Sequence, residues 1–160
     1  RCPSLFGGGG SIDQMCLNLD IAPTLLDAAG VKAPPTMQGR SFLPLLEGKQ
    51  VPWRTEFVYE YFWERAYPQT PTVIGLRTDR HSYMRYHGIW DVDELYDIRQ
   101  DPDQMNNLIG EVKTRNEGGP LIARYRERKH PMAETLRDYE GRIAKILRDT
   151  GGRMEPTWFG

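Results

Sequence analysis

Cysteine is scarce. Cys2 and Cys16 are the only two in 160 residues, which excludes a disulfide-dense scaffold and the Cys-x-x-Cys spacings of zinc and redox sites. Whether the two pair, and which compartment the chain occupies, stay open at this level. No apolar run approaches the roughly 20 residues of a membrane span, and no basic-then-apolar leader opens the chain. The opening is Arg1-Cys2-Pro3 rather than Met, so a leader can have stood upstream. Net charge is scarce too: 21 Lys and Arg against 22 Asp and Glu leave −1, which removes any global pull toward nucleic acid or an anionic membrane. Any anion site must therefore be local. Repeats are absent, and the one low-complexity stretch, Gly7 to Gly10, lacks the lysine and helix of a phosphate-binding loop.

Aromatic residues are what the chain has in quantity, 11% of the total, clustered between Trp53 and Trp90. Before that cluster the pattern is helical. Asp20 to Gly30 reads as a helix with Asp20 as cap, Pro23 in the first turn and Gly30 as the stop, and Ile21, Leu25 and Ala28 share a face that should pack on something. Ser41 to Glu47 reads as a second, short helix with Pro44 in its first turn and Gly48 after it. Residues 1–6 resemble the end of a strand. These pieces are too small to stand alone and look like the edge of a larger body.

From Glu56 the pattern turns extended. Glu56 to Phe62, Thr72 to Arg77, Ser82 to His87 and the strand around Leu95 are rich in aromatic and β-branched residues, with residues 78–81 short enough for a hairpin. Asp101, Pro102 and Gln104 then carry the spacing of a capped helix start. Residues 121–130 form a charged helical stretch bent by Pro131. Met132, Leu136, Tyr139, Ile143 and Ile146 recur at steps of four, three, four and three, which paints one apolar stripe on a helix ended by Gly151-Gly152. The fold class expected is α+β: about four antiparallel strands packed by a long C-terminal helix, preceded by the last edge elements of an α/β domain. The boundaries are 1–50 for the edge, 51–150 for the α+β subdomain and 151–160 for a tail.

Asp91, Asp93, Glu94 and Asp97 are an acidic group, but an EF-hand would need glycine and glutamate where Tyr96 and Pro102 stand. Flanking Leu95 on a strand, Asp93 and Asp97 are expected to face solvent or to cap. The basic run Arg124, Arg126, Arg128, Lys129 and His130 reads as a solvated helix face, because one interleaved aromatic is thin support for nucleic-acid binding. Tyr83 to Trp90 is the more chemical segment. Gly88 permits a sharp turn, so His87 and Trp90 can face a cleft, with Trp63 and Arg65 after a nearby strand and Arg85 on the same strand as His87. Aromatic faces with hydrogen-bonding groups suit a sugar, and a sulfate adds a need for Arg or His. The plainer alternative, that the tryptophans are core and His87 a satisfied hydrogen-bonder, stands beside it.

Four ordered segments carry a family resemblance: Asn18 to Val31 as N-x-D-x-x-P-T-L-L-D-x-A-G, Gln38 to Leu46 as Q-G-x-S-L-x-P-L-L, Leu76 to Tyr83 as an R-T strand pair with His81 and Ser82 in place of Tyr-Lys, and Glu94 to Leu108 as E-L-Y-D-x-x-x-D-P-x-x-x-x-N-L. Together they resemble the C-terminal portion of type I sulfatases of the alkaline-phosphatase-like superfamily. Residues 59–64, 68–72 and 86–91 look most like bacterial N-acetylglucosamine-6-sulfatases. The resemblance implies a sulfated carbohydrate as substrate, a periplasmic or secreted setting, and an N-terminal catalytic domain that holds the formylglycine nucleophile and calcium. None of those catalytic residues maps here, since Pro3 follows Cys2 directly and Phe6 stands where Cys/Ser-x-Pro-x-Arg needs arginine. His87, Trp90, Trp63 and Arg85 are the candidate sugar contacts, with no catalytic and no metal-binding residue assigned. The alternatives are a phosphodiesterase or phosphonate hydrolase of the same superfamily and a stand-alone sugar-binding or interaction module; the module predicts a covered Ile21 and Leu25 face.

Overall fold

In the computed structural model, residues 10–62, 71–87, 93–109 and 131–152 are described, and the chain forms two units, Arg1–Thr55 and Glu56–Gly160. The expected strand at 1–6 and helical stretch at 121–130 lie outside the described residues.

In the first unit a 3-10 turn (Asn18–Asp20) runs into α1 (Ile21–Ala28), and α2 (Leu43–Leu46) follows a loop. Asp20 stands at the cap position of α1, yet its carboxylate makes no cap. It is fully buried, accepts the N–H groups of Leu17 and Arg40 at 2.8 Å each, and pairs with both terminal nitrogens of Arg54, the Nη2 contact at 2.7 Å. Thr24, one turn on, continues the polar side: its hydroxyl donates to the Asp20 carbonyl at 2.6 Å and accepts the Phe42 N–H at 3.0 Å. The Trp53 indole N–H reaches the Met15 carbonyl at 2.9 Å. Polar contacts therefore tie the unit together, and they decide which side of α1 faces inward.

That orientation leaves the Ile21, Leu25 and Ala28 face, expected to pack on something, open among the described residues. Pro23 and Thr24 are the buried residues of α1, whereas Ile21 is 51% and Leu25 66% exposed. With Asp20 and Thr24 fixed inward, the 100° step of the helix turns the apolar stripe away from them. α1 stops as expected: Gly30 adopts φ +69°, and the N–H groups of Gly30 and Val31 return to the carbonyls of Asp27 and Leu26. α2 is shorter than Ser41 to Glu47, with Pro44 in its first turn and Gly48 at φ +76° after it.

The second unit holds a four-stranded antiparallel sheet in the order β1 (Glu56–Tyr61), β2 (Thr72–Thr78), β3 (His81–His87), β4 (Glu94–Asp97). The β2–β3 hairpin turns on Asp79 and Arg80, where the Thr78 hydroxyl accepts the N–H groups of Arg80 and His81. The helix α3 (Ala133–Thr150) lies on one face. Ile74, Leu76, Tyr83 and Leu95 from the sheet pack with Leu136, Tyr139, Ile143 and Leu147 from the helix, with Val58, Met132 and Ile146 at the margin. Leu147 rather than Ile146 completes the stripe, because a second step of four after Ile143 holds the side chain over the sheet. Glu56 of β1 pairs with Arg142, and His81 Nδ1 lies 2.6 Å from the Tyr139 hydroxyl. Gly151 ends α3 at φ +74°.

The capped helix expected at Asp101 does not form. Asp101 does accept the N–H groups of Met105 and Asn106, at 3.0 and 2.8 Å, but Gln104 takes a left-handed φ of 54° and the segment stays a run of turns. Asn107 draws it back to the sheet: its amide oxygen accepts the N–H groups of Leu95 and Ile109, and its amide nitrogen donates to the Asp93 carbonyl. A side chain that bonds backbone in this way competes with helix formation.

Candidate functional site

Antiparallel pairing brings four strand ends together. Tyr61 at the end of β1 lies opposite Val73, Thr72 at the start of β2 lies opposite His87 at the end of β3, and Glu94 at the start of β4 lies opposite Met84. The strands that lead into Trp63 and toward Trp90 thus finish at one end of the sheet. Trp63 and Trp90 themselves lie outside the described residues. Arg85 and His87 both belong to β3, and Arg85 is half-buried.

The alternation of β3 and β4 puts charge next to the core. Tyr83 and Leu95 point to α3, and one register step beyond Met84 opposite Glu94 sets Arg85 opposite Asp93. The Tyr83 hydroxyl, 1% exposed as a residue, donates to Asp93 Oδ2 at 3.2 Å. Asp93 is itself buried. Burial pushes its carboxyl above the usual carboxylate range and the Glu140 charge adds to this, against the opposing pull of the Tyr83 hydroxyl, the Arg85 charge and the Tyr86 N–H. Burial likewise drives the Tyr83 phenol far above its ordinary value, with the charges of Asp93 and Glu140 adding to it. Tyr83 and Asp93 thus form a buried hydrogen-bonded pair that feels the charges of Arg85 and Glu140.

The opposite end of β4 is structural. Asp97 is buried and accepts Arg80 Nε at 3.0 Å and the N–H groups of Arg99 and Gln100 at 3.1 and 3.3 Å, which closes the turn after the strand. Burial raises its carboxyl, and those three donors outweigh burial and hold it below the usual range. Asp93 and Asp97 are therefore both interior: of the two expected roles, facing solvent or capping, Asp97 takes the capping one and neither faces solvent. The i, i+2 rule would have found it, since both share the face of Leu95. The sequence reading also passed over Glu140, which only the docking of α3 brings near β3 and β4.

Among the described residues no three of His, Cys, Asp and Glu converge as a metal site, and the acidic donors at Asp20 and Asp97 are spent on Arg54 and Arg80. These residues do not fit calcium. Cys16 is a free, exposed thiol. Arg85 places a cationic, half-buried side chain near one end of the sheet.

A family model described as N-sulphoglucosamine sulphohydrolase, C-terminal, matches residues 1–129. N-acetylglucosamine-6-O-sulfatase of Bacteroides thetaiotaomicron is 33% identical over 116 residues, covering 71% of this chain and 21% of that protein. A Delta 4,5-hexuronate-2-O-sulfatase of the same organism is 34% identical over 122 residues, covering 69% of this chain and 24% of that protein. A solved structure of a protein in complex with its substrate, D-glucosamine-2-N,6-O-disulfate, superposes with a TM-score of 0.60 at 27% identity, over 81% of this chain and 23% of the other. The chain thus spans about a fifth to a quarter of the length of the relatives it matches.

Proposed function

Because this chain belongs to the family of N-sulphoglucosamine sulphohydrolase C-terminal regions, among sulfatases of the alkaline-phosphatase-like superfamily, we propose that it serves as the C-terminal part of a sulfuric ester hydrolase. The substrate of the whole enzyme is a 6-O-sulfated N-acetylglucosamine or a related glycosaminoglycan or mucin sugar. The match to N-acetylglucosamine-6-O-sulfatase across 71% of the chain carries this reading. The formylglycine nucleophile and the calcium ion belong, on this reading, to residues upstream. Residues 1–50 form the edge of that catalytic body and 51–150 the subdomain that braces it, with the exposed Ile21 and Leu25 face as a contact to the upstream part. His87, Trp90, Trp63 and Arg85 wall the sugar pocket, and Arg85 or His87 supplies positive charge or a donor to the sulfated ring.

Kinetics of the full-length protein on N-acetylglucosamine-6-sulfate test it. Arg85→Gln and His87→Ala should each raise KM, whereas the 160-residue chain by itself should show no turnover. Unchanged kinetics in both variants would remove the assigned contacts, and turnover by the 160-residue chain alone would refute its role as a part of the enzyme.

A further inference from the structure

We infer that Asn107 is a positioning residue for sugar binding, an anchor that fixes where the connection from β3 to β4 rejoins the sheet and so where it presents Trp90. The inference rests on the reading of Trp90 as a sugar contact. Asp93 is the residue at which that connection meets the described part of the sheet, three positions after Trp90 in the chain. Its carbonyl accepts Asn107 Nδ2 at 3.1 Å, and its Oδ2 accepts the Tyr83 hydroxyl at 3.2 Å. Main chain and side chain are thus both held, the first by the segment after β4 and the second by a tyrosine buried in the core.

The geometry demands an asparagine. β4 has four residues and stands last in the sheet, so one side of its backbone has no strand to pair with. Leu95 is fully buried, and a buried N–H or carbonyl without a partner is costly. Asn107 Oδ1 accepts the N–H groups of Leu95 and Ile109 at 3.1 Å each, and the Leu108 N–H returns to the Leu95 carbonyl at 2.8 Å. One planar amide therefore pairs the outer edge of β4 and binds Asp93 as well. Aspartate has no proton to give Asp93, and leucine can neither donate nor accept. The far end of β4 has a separate anchor: Asp97 accepts Arg80 Nε and the N–H groups of Arg99 and Gln100. Four residues of strand, roughly 13 Å, lie between the two, so one end can be loosened without the other.

The test is steady-state kinetics of the full-length enzyme on N-acetylglucosamine-6-sulfate, with the melting temperature of each variant. Asn107→Asp keeps the acceptor for Leu95 and Ile109 and deletes only the donor to Asp93. It should raise KM about fivefold, the size of one net hydrogen bond, and leave kcat unchanged, because a misplaced binding contact weakens substrate and transition state alike. Asp97→Asn, which weakens the far anchor, should lower the melting temperature without moving KM. Tyr83→Phe frees Asp93 from the core side and should also raise KM, which keeps the inference testable if Asn107→Asp folds poorly. Since Asn107 acts through Trp90, Trp90→Ala combined with Asn107→Asp should have the KM of Trp90→Ala alone. An unmoved KM in folded Asn107→Asp, an equal rise in Asp97→Asn, or effects that multiply in the double variant would overturn it. Trp90→Ala by itself separates the two claims: a raised KM beside a normal Asn107→Asp sinks only the anchor, whereas an unchanged KM sinks the sugar contact and the anchor's route with it.

Discussion

Replacing the outward apolar pair of α1 by serine, Ile21→Ser with Leu25→Ser, should have different costs in two contexts. In the 160-residue chain Leu25 is 66% and Ile21 51% exposed, so little burial is lost and the change should stay within about 0.5 kcal/mol per site. If an upstream body covers this face, the exposed fraction is what becomes buried. Full burial of a Leu or Ile side chain contributes about 1.5–3 kcal/mol, so two-thirds of that for Leu25 and half for Ile21 gives about 2–4 kcal/mol together in the full-length protein. Urea unfolding of both proteins, with and without the double substitution, measures the difference, and Trp53 fluorescence reports on the same unit because its indole is bonded to Met15. A cost in the full-length protein no larger than in the 160-residue chain would refute the view that this face is an internal contact of a longer enzyme. Leu19, Val31 and Leu46 of the same unit are also 47%, 52% and 40% exposed.

Two further outcomes concern the first unit. Asp20→Ala leaves the Arg54 guanidinium, 11% exposed, without its carboxylate, and should cost about 3–5 kcal/mol at neutral pH. Burial alone would raise the Asp20 carboxyl, but Arg54 and the N–H groups of Arg40 and Leu17 pull it below the usual range. A depressed folded-state value means the stabilisation is present above the unfolded value near 4 and fades as pH falls through the folded one, so the gap between wild type and variant should close in acid; a gap constant with pH would contradict the pairing. Gly39→Ala should destabilise by about 1–3 kcal/mol or more, because a Cβ there would lie 1.9 Å from the Leu19 carbonyl oxygen, and backbone cannot move aside cheaply. A normal melting temperature in that variant would show the approach to be looser than described.

Much of the fold was legible. Runs rich in aromatic and β-branched residues located all four strands within a residue or two, since that composition is a local property of the chain. The stripe from Leu136 to Ile143 located α3, and Gly30, Gly48 and Gly151 located three helix ends, all at positive φ. The helix at Asp101 was read wrongly for a physical reason: cap chemistry was present, but the Asn107 side chain, bonded into β4, won over the local preference. The candidate site was legible in part. Arg85 and His87 stood out as charge beside aromatics on a strand, whereas Asp93 was set aside as a solvent-facing or capping acid.

By itself, then, the sequence determined the periodicities, the stops and the family motifs, because each depends on residues within a few positions of one another. The tertiary structure decided which acids are interior and which apolar face is open. Asp20 is buried because Arg54, 34 residues away, answers its charge, and that fixes Ile21 and Leu25 outward. Asp93 meets Tyr83, and feels the charges of Arg85 and Glu140, only because β4 pairs with β3 and α3 packs on the sheet. The cost of burying a charge is set by its neighbours in space, and no local window of sequence contains them.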